Sequence, residues 1–238
     1  DFSVMLDRIL YGNSSAKSCV EMALLDLYTQ RESIPLWKFL RSSVGGANEG
    51  AASIPLLRML GGTLDKELAD AKAYRDLGFK HWKIKIGSLA LSEDLHRVKA
   101  LSEVLKGDVI SVDANGVMSL DNAIAFCQSS QASNLAFAEQ LISADLPMSD
   151  FVKLRKESPI PIGLDESIHG EAEIKEYVEA GAIDGASLKL IKTGGVTKAF
   201  ECARFLSANK LQLNLACKVA ETSLSAAATA SIGFAIGD

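Results

Sequence analysis

The sequence predicts an α/β protein of the TIM-like (β/α)7β type, with parallel strands that close into a barrel and a helix after each strand. Two observations carry that reading. Short apolar runs alternate with segments of 3.6-residue periodicity seven times along the chain. Five charged residues, Lys85, Asp113, Glu139, Asp165 and Lys189, stand at or just past the C-terminal ends of consecutive runs, separated by 28, 26, 26 and 24 residues. One strand with its returning helix takes about 30 residues in an eight-stranded barrel, so this period sets the five side chains on one rim, where such barrels gather catalytic groups. An open doubly wound sheet is the competing arrangement, and it would concentrate its site at one switch point between strands.

The elements follow in order. Residues 15–30 carry apolar side chains at helical spacing behind a Ser15 cap, and a Gly/Ala/Ser-rich loop occupies residues 42–53. Residues 1–52 are therefore read as a helical lead-in and loop, and residues 53–238 as the barrel domain. Strands are expected at 53–57, 81–86, 109–113, 135–139, 160–165, 186–190 and 211–216. Helices are expected at 65–77, 91–105, 120–129, 149–156, 171–180, 196–208 and 222–236. Gly78, Gly107, Pro159, Pro161 and Gly181 punctuate the strand entries. Successive βα units make a parallel sheet with right-handed crossovers the expected solution. The eighth strand is expected beyond Asp238. The chain opens on Asp1 with no leader pattern, and it is expected to be an excerpt of a longer polypeptide.

Composition narrows the function classes. Of the 238 residues 48% are hydrophobic and 23% charged, as in ordinary soluble domains, and a net charge of −5 without a basic block argues against nucleic-acid or anionic-membrane partners. The most apolar segment, residues 223–237, is rich in Ala, Ser and Thr and suits a buried helix better than a membrane span. Cys19, Cys127, Cys202 and Cys217 form no C-x-x-C pair and read as reduced, mostly buried thiols of a cytoplasmic protein.

The rim residues carry chemistry. Asp113 opens Asp-Ala-Asn-Gly, Glu139 precedes Gln140, and Asp165 opens Asp-Glu-Ser. Three hard oxygen ligands from adjacent strands, without His or Cys nearby, suit Mg2+ or Mn2+ rather than zinc. Taken singly, Asp113 also fits turn chemistry and Asp165 a helix N-cap. Glu139 is harder to explain as structure, because it ends an apolar strand. In His81-Trp-Lys-Ile-Lys, Lys83 and Lys85 share a face, since side chains alternate along a strand. Two lysines inside a buried sheet are costly unless carboxylates neutralise them. Side by side they disfavour each other's charge, which moves one towards general-base duty. Lys189 ends the sixth strand, four strands on from Lys85; its rival Lys192 falls in the loop 191–195 and reads as solvent-facing.

The K-x-K strand, Asp-Ala-Asn-Gly, Glu-Gln, Asp-Glu-Ser and Lys-x4-Gly-Gly, in this order and spacing, resemble the enolase superfamily and, within it, the muconate-lactonizing-enzyme (muconate cycloisomerase) subgroup. The resemblance runs from about Ser15 to the C-terminus. It implies one catalytic Mg2+ on Asp113, Glu139 and Asp165, with Lys85 and Lys189 as acid and base on opposite faces and Lys83 tuning Lys85. Asn115 and Glu166 would orient the ligands from behind. It also implies a small carboxylate substrate that loses the proton beside its carboxylate to give a metal-stabilised enediolate. Glu221 is left between lining the pocket and capping a helix. His169 reads as a surface residue rather than a substrate contact. The family's N-terminal α+β capping domain lies outside the sequence, and a homo-oligomer is expected. Cycloisomerisation, racemisation or epimerisation (of dipeptides, for example) and o-succinylbenzoate synthesis use the same residues. The alternatives are a Schiff-base aldolase that uses Lys189 as nucleophile, and an inactive truncated barrel.

Overall fold

The structure, a computed structural model, describes residues 2–46 and 50–237. Residues 47–49 of the predicted loop lie outside the described residues. Three helices open the chain: α1 (Phe2–Ile9), α2 (Ser14–Arg31) and α3 (Leu36–Ser43). Alternation follows, with β1 (Leu57–Leu60), α4 (Leu64–Asp76), β2 (His81–Lys85), α5 (Leu91–Val104), β3 (Val109–Asp113), α6 (Leu120–Gln128), β4 (Phe137–Glu139) and α7 (Met148–Glu157). It continues through β5 (Ile162–Leu164), α8 (Glu171–Glu179), β6 (Gly185–Leu188), the short α9 (Leu190–Thr193), α10 (Val196–Ala208), β7 (Gln212–Leu215) and α11 (Ser223–Ile236). The strands run in sequential order from β1 to β7 in one sheet, the TIM-like α/β order that the periodicity predicts. No described helix is long and apolar enough to cross a membrane.

The chain divides into two compact units. The first comprises Asp1–Ile54, Ile168–Lys175 and Ala186–Asp238, and the second Pro55–Ser167 and Glu176–Gly185. In the second unit β1 to β5 pair in parallel, in a register that matches Lys83 with Ser111, Lys85 with Asp113, Asp113 with Glu139, and Glu139 with Gly163. Alternation then sorts the side chains. Trp82, Ile84, Ile110, Val112, Ala138, Ile162 and Leu164 point to one face and are buried with Val98 and Leu101 of α5, Phe126 of α6, and Phe151 and Leu154 of α7. Each large side chain so buried contributes roughly 1.5–3 kcal/mol. The opposite face receives Lys83, Lys85, Ser111, Asp113 and Glu139. Helix starts are set locally: Thr63 accepts from the Lys66 N–H at 3.4 Å, and Ser119 from the Asn122 N–H at 3.3 Å.

Strand β1 departs from expectation. It runs from Leu57 to Leu60, whereas residues 53–57 were predicted. Pro55 has no N–H for a ladder, so pairing begins beyond it. Arg58 lies 3.7 Å above the Tyr74 ring, tying the strand to α4. The N-terminal segment holds three helices where one was predicted; α1 and α3 are only eight residues long.

The first unit is mostly helical, with α2 against α9 and α11 against α3 and α10. All four cysteines are free, and two of them are buried rather than most: Cys127 and Cys202 are buried, Cys19 and Cys217 exposed. Burial, reinforced by Glu171, Glu201 and Glu173, pushes the Cys202 thiol up to about 12.

Candidate functional site

The polar face of the second unit is built by register. Lys85, Asp113, Glu139 and Gly163 occupy one row across β2 to β5, and Asp165 follows two residues past Gly163. Glycine is required in that row, because a Cβ on residue 163 would stand 1.8 Å from Cζ of Phe137. The Phe137 ring therefore lies across the Gly163 backbone, two residues before Glu139. Gly163→Ala is expected to cost about 1–3 kcal/mol by overpacking, measured by chemical denaturation, and adding Phe137→Leu is expected to recover part of the loss.

Two lysines neutralise this row. Lys83 donates to Glu139 Oε2 at 2.5 Å, with the two side chains 5% and 1% exposed. Lys85 is more open, and it donates to Asp113 Oδ2 at 2.6 Å and to Asn115 Oδ1 at 2.5 Å. Asp113 meets the turn reading of its motif. Its Oδ1 accepts from the Asn115 N–H at 2.8 Å, closing a turn in which Asn115 and Gly116 adopt φ 47° and 74°. Its Oδ2 remains for Lys85. Asn115 Nδ2 then donates to Glu166 Oε1 at 2.9 Å, while Glu166 Oε2 is buried without a hydrogen-bond partner. One polar chain thus links Lys85, Asn115 and Glu166.

Asp165 is 1% exposed and lies six residues before α8, so it is not that helix's N-cap. Its backbone N–H is held at 2.9 Å by the side chain of Gln140, a residue singled out only as part of a motif.

Lys189 and Glu221 belong to the first unit. Lys189 is the half-buried residue between β6 and α9, and Lys192 lies within α9 rather than in a loop, also half-buried. Glu221 Oε1 accepts from the Lys218 N–H at 2.5 Å and closes a turn, Thr222 occupies the N-cap of α11, and Glu221 Oε2 is buried without a partner. The N-cap reading of Glu221 is thereby excluded. The Cys217 thiol is raised by burial, opposed by a hydrogen bond with Thr229, raised further by Glu221 and lowered by Lys189, so both charges act on the same sulfur. His169 is exposed. The Gly-Gly pair after Lys189 has a local cause: Gly195 takes φ 147°, and a Cβ there would fall 1.9 Å from Glu21 Oε2. That carboxylate from α2 accepts from Thr197 N–H at 3.3 Å at the start of α10.

A family model described as "Enolase C-terminal domain-like" matches residues 66–238. The chain belongs to this enolase family. It is 31% identical over 204 residues to the D-Ala-D/L-Ala epimerase of Cytophaga hutchinsonii, covering 85% of this chain and 53% of that protein. It is likewise 31% identical over 211 residues to muconate cycloisomerase 1 of Pseudomonas putida, covering 87% of this chain and 54% of that protein. The solved dipeptide epimerase of Cytophaga hutchinsonii, complexed with Mg and the dipeptide D-Ala-L-Val, superposes with a TM-score of 0.85 at 27% identity, covering 98% of this chain and 61% of that one. The chain spans about half the length of the curated relatives it matches.

For an enolase-family chain the donor set is the test of a divalent ion. Asp113, Glu139 and Asp165 are 3%, 1% and 1% exposed and offer oxygen alone, which suits a hard cation. Among the described residues no group of three or more His, Cys, Asp or Glu side chains is gathered closely enough to hold an ion as it stands. Asp113 and Glu139 are turned onto lysine instead. A carboxylate has about four lone-pair sites, so one lysine does not exhaust it. The three acids fit the ion in kind and in strand position.

Proposed function

We propose that this chain forms the catalytic domain of a Mg2+-dependent isomerase that removes the proton beside a carboxylate in a small substrate. The observation that carries the reading is the row in which Lys85 is held by Asp113 and Asn115 beside Glu139, in a chain of the enolase family. Asp113, Glu139 and Asp165 are the residues that would hold the cation. When bound, it supplies positive charge for the substrate carboxylate as electron density moves onto it.

This chain's own groups do the rest. Lys85, the more open of the two β2 lysines, takes the proton from the carbon beside the carboxylate, and Lys189 is kept as the second acid/base group that the family resemblance implies. Lys83, buried on Glu139, keeps that face of the sheet near neutrality and orients the Glu139 carboxylate. Asn115 fixes the Lys85 amine and connects it to Glu166. A proton taken on one face and returned on the other inverts the carbon, which is epimerisation. A dipeptide is the preferred substrate class, in keeping with the likeness to the dipeptide epimerase of Cytophaga hutchinsonii.

Incubation in D2O with a dipeptide panel, followed by NMR, is expected to show deuterium entering the α-carbon and the second epimer appearing, with both stopped by EDTA. Glu139→Gln is expected to weaken Mg2+ binding in calorimetry by at least ten-fold. Wild-type affinity in that variant would remove Glu139 from the ligand set. Borohydride treatment with substrate is expected to leave no covalent adduct on Lys189; an adduct would favour the aldolase reading.

A further inference from the structure

We propose that Gln140 is a positioning residue that locks the loop carrying Asp165, Glu166 and Ser167 onto the end of β4. The inference rests on the reading of Asp113, Glu139 and Asp165 as one ligand set, and it adds how their mutual positions are held.

Four observations support it. Gln140 is 0% exposed, and all its side-chain polar atoms are engaged. Its Oε1 accepts from two backbone N–H groups of the following loop, Asp165 at 2.9 Å and Ser167 at 3.2 Å. Its Nε2 donates to the Ile142 carbonyl at 3.0 Å and to Ser167 Oγ at 2.8 Å. Its main chain reaches β5 and the turn after β3: the N–H donates to Gly163 O at 2.8 Å, and the carbonyl accepts from the Gly116 N–H at 2.7 Å.

The backbone conformation adds weight. Gln140 takes φ 38°, a left-handed value uncommon outside Gly, Asn and Asp. A residue that breaks the alternation of a strand aims its side chain away from the direction the pleat would give. Here the carboxamide reaches along the sheet to the next loop, while Glu139 keeps its place in the row. Buried carboxamides have both a donor and an acceptor end, and this one uses both on the same loop. The loops after β3, β4 and β5, which carry Asn115, Gln140 and Asp165, thereby meet at one residue, the first held by the Gln140 main-chain carbonyl and the third by its side chain. An unsupported Asp165 backbone would let that carboxylate drift relative to Glu139, and groups that orient ligands from behind commonly change metal affinity ten- to a hundred-fold.

Two variants separate positioning from mere packing. Gln140→Met keeps the volume and φ cost but removes every side-chain hydrogen bond. Gln140→Glu keeps an acceptor for the Asp165 and Ser167 amides, and Ser167 Oγ can turn to donate to it, while the bond to the Ile142 carbonyl is lost. Amide hydrogen exchange by NMR is expected to accelerate at least ten-fold at Asp165 and Ser167 in Gln140→Met, with β2 and β3 amides unchanged, whereas Gln140→Glu retains the protection. Calorimetry with Mg2+ alone is expected to show affinity about ten- to a hundred-fold weaker in Gln140→Met. Unchanged exchange at those two amides, or exchange that rises equally across β1 to β5, would overturn the assignment. If Gln140→Met does not fold, Gln140→Asn, one methylene too short to reach the loop, carries the same measurements. A wild-type protein that binds no Mg2+ would sink the ligand-set reading, and the exchange measurement would still decide whether Gln140 holds the loop.

Discussion

Lys85→Met is expected to lower turnover by about 10²–10⁴-fold, the usual contribution of a positioned general base, and to leave the fold intact. The side chain of Lys85 is 36% exposed, so its removal uncovers Asp113 to water rather than stranding it in the core. Stability by chemical denaturation should therefore change by no more than about 1 kcal/mol, in line with exposed ion pairs. The telling measurement is exchange of the α-proton with solvent. Loss of exchange from one substrate epimer, with retention from the other, assigns Lys85 to one face. Undiminished exchange from both epimers would mean that the base lies elsewhere. The proposal of Lys85 rather than Lys83 as the base rests on exposure, for the Lys83 side chain is 5% exposed and enclosed with Glu139.

Arg97→Met is expected to have the larger effect on stability, a loss of about 3–5 kcal/mol. Arg97 bonds Glu67 through Nε at 3.1 Å and Nη2 at 2.6 Å, and Asp94 through Nη1 at 2.9 Å. Both acids are 0% exposed, so the variant leaves two unpaired carboxylates inside the protein. Burial acts to lower the Arg97 pKa, but Glu67 and Asp94 outweigh it and the net shift is upward, consistent with a guanidinium held by its partners. Removing one of the two orphaned charges as well, in Arg97→Met with Glu67→Gln, is expected to recover a substantial part of the loss in urea denaturation. If the single variant costs less than about 1 kcal/mol, the acids have found water and the cluster is not sealed. The cluster also reaches the candidate site, because Asp94 Oδ2 accepts from the Gly87 N–H at 2.6 Å, two residues after Lys85. Gly87 takes φ 91°, and a Cβ there would stand 2.6 Å from Val117.

The two variants test groups of different legibility. Lys85, Asp113, Glu139 and Asp165 were readable because each interrupts an apolar run at a repeating interval, and Lys83 because it shares a strand face with Lys85; a charge in such a place has to be neutralised or used. Arg97, Glu67 and Asp94 were not readable. They sit on α4 and α5 among many exposed acids and bases, and nothing local separates a buried charge from a solvated one when its partner is 30 residues away. Gln140 was visible only as the second letter of a motif, since a left-handed φ on a glutamine has no sequence signature. The first strand was misplaced by its neighbour Pro55, and the turn reading of Asp113 held through one carboxylate oxygen while the other meets Lys85.

Periodicity and alternation alone determined the α/β class, the helices that follow the strands apart from α9, and the set of charged side chains at the strand ends, because these depend on intervals within the chain. Only the folded arrangement decided which lysine meets which acid, why Gly163 and Gly195 admit no side chain, and how Gln140 holds the loop beyond β5. Those outcomes depend on inter-strand register and on packing between residues far apart in sequence. A shift of one residue in that register would reassign the lysine–acid pairs and the Gly163 contact.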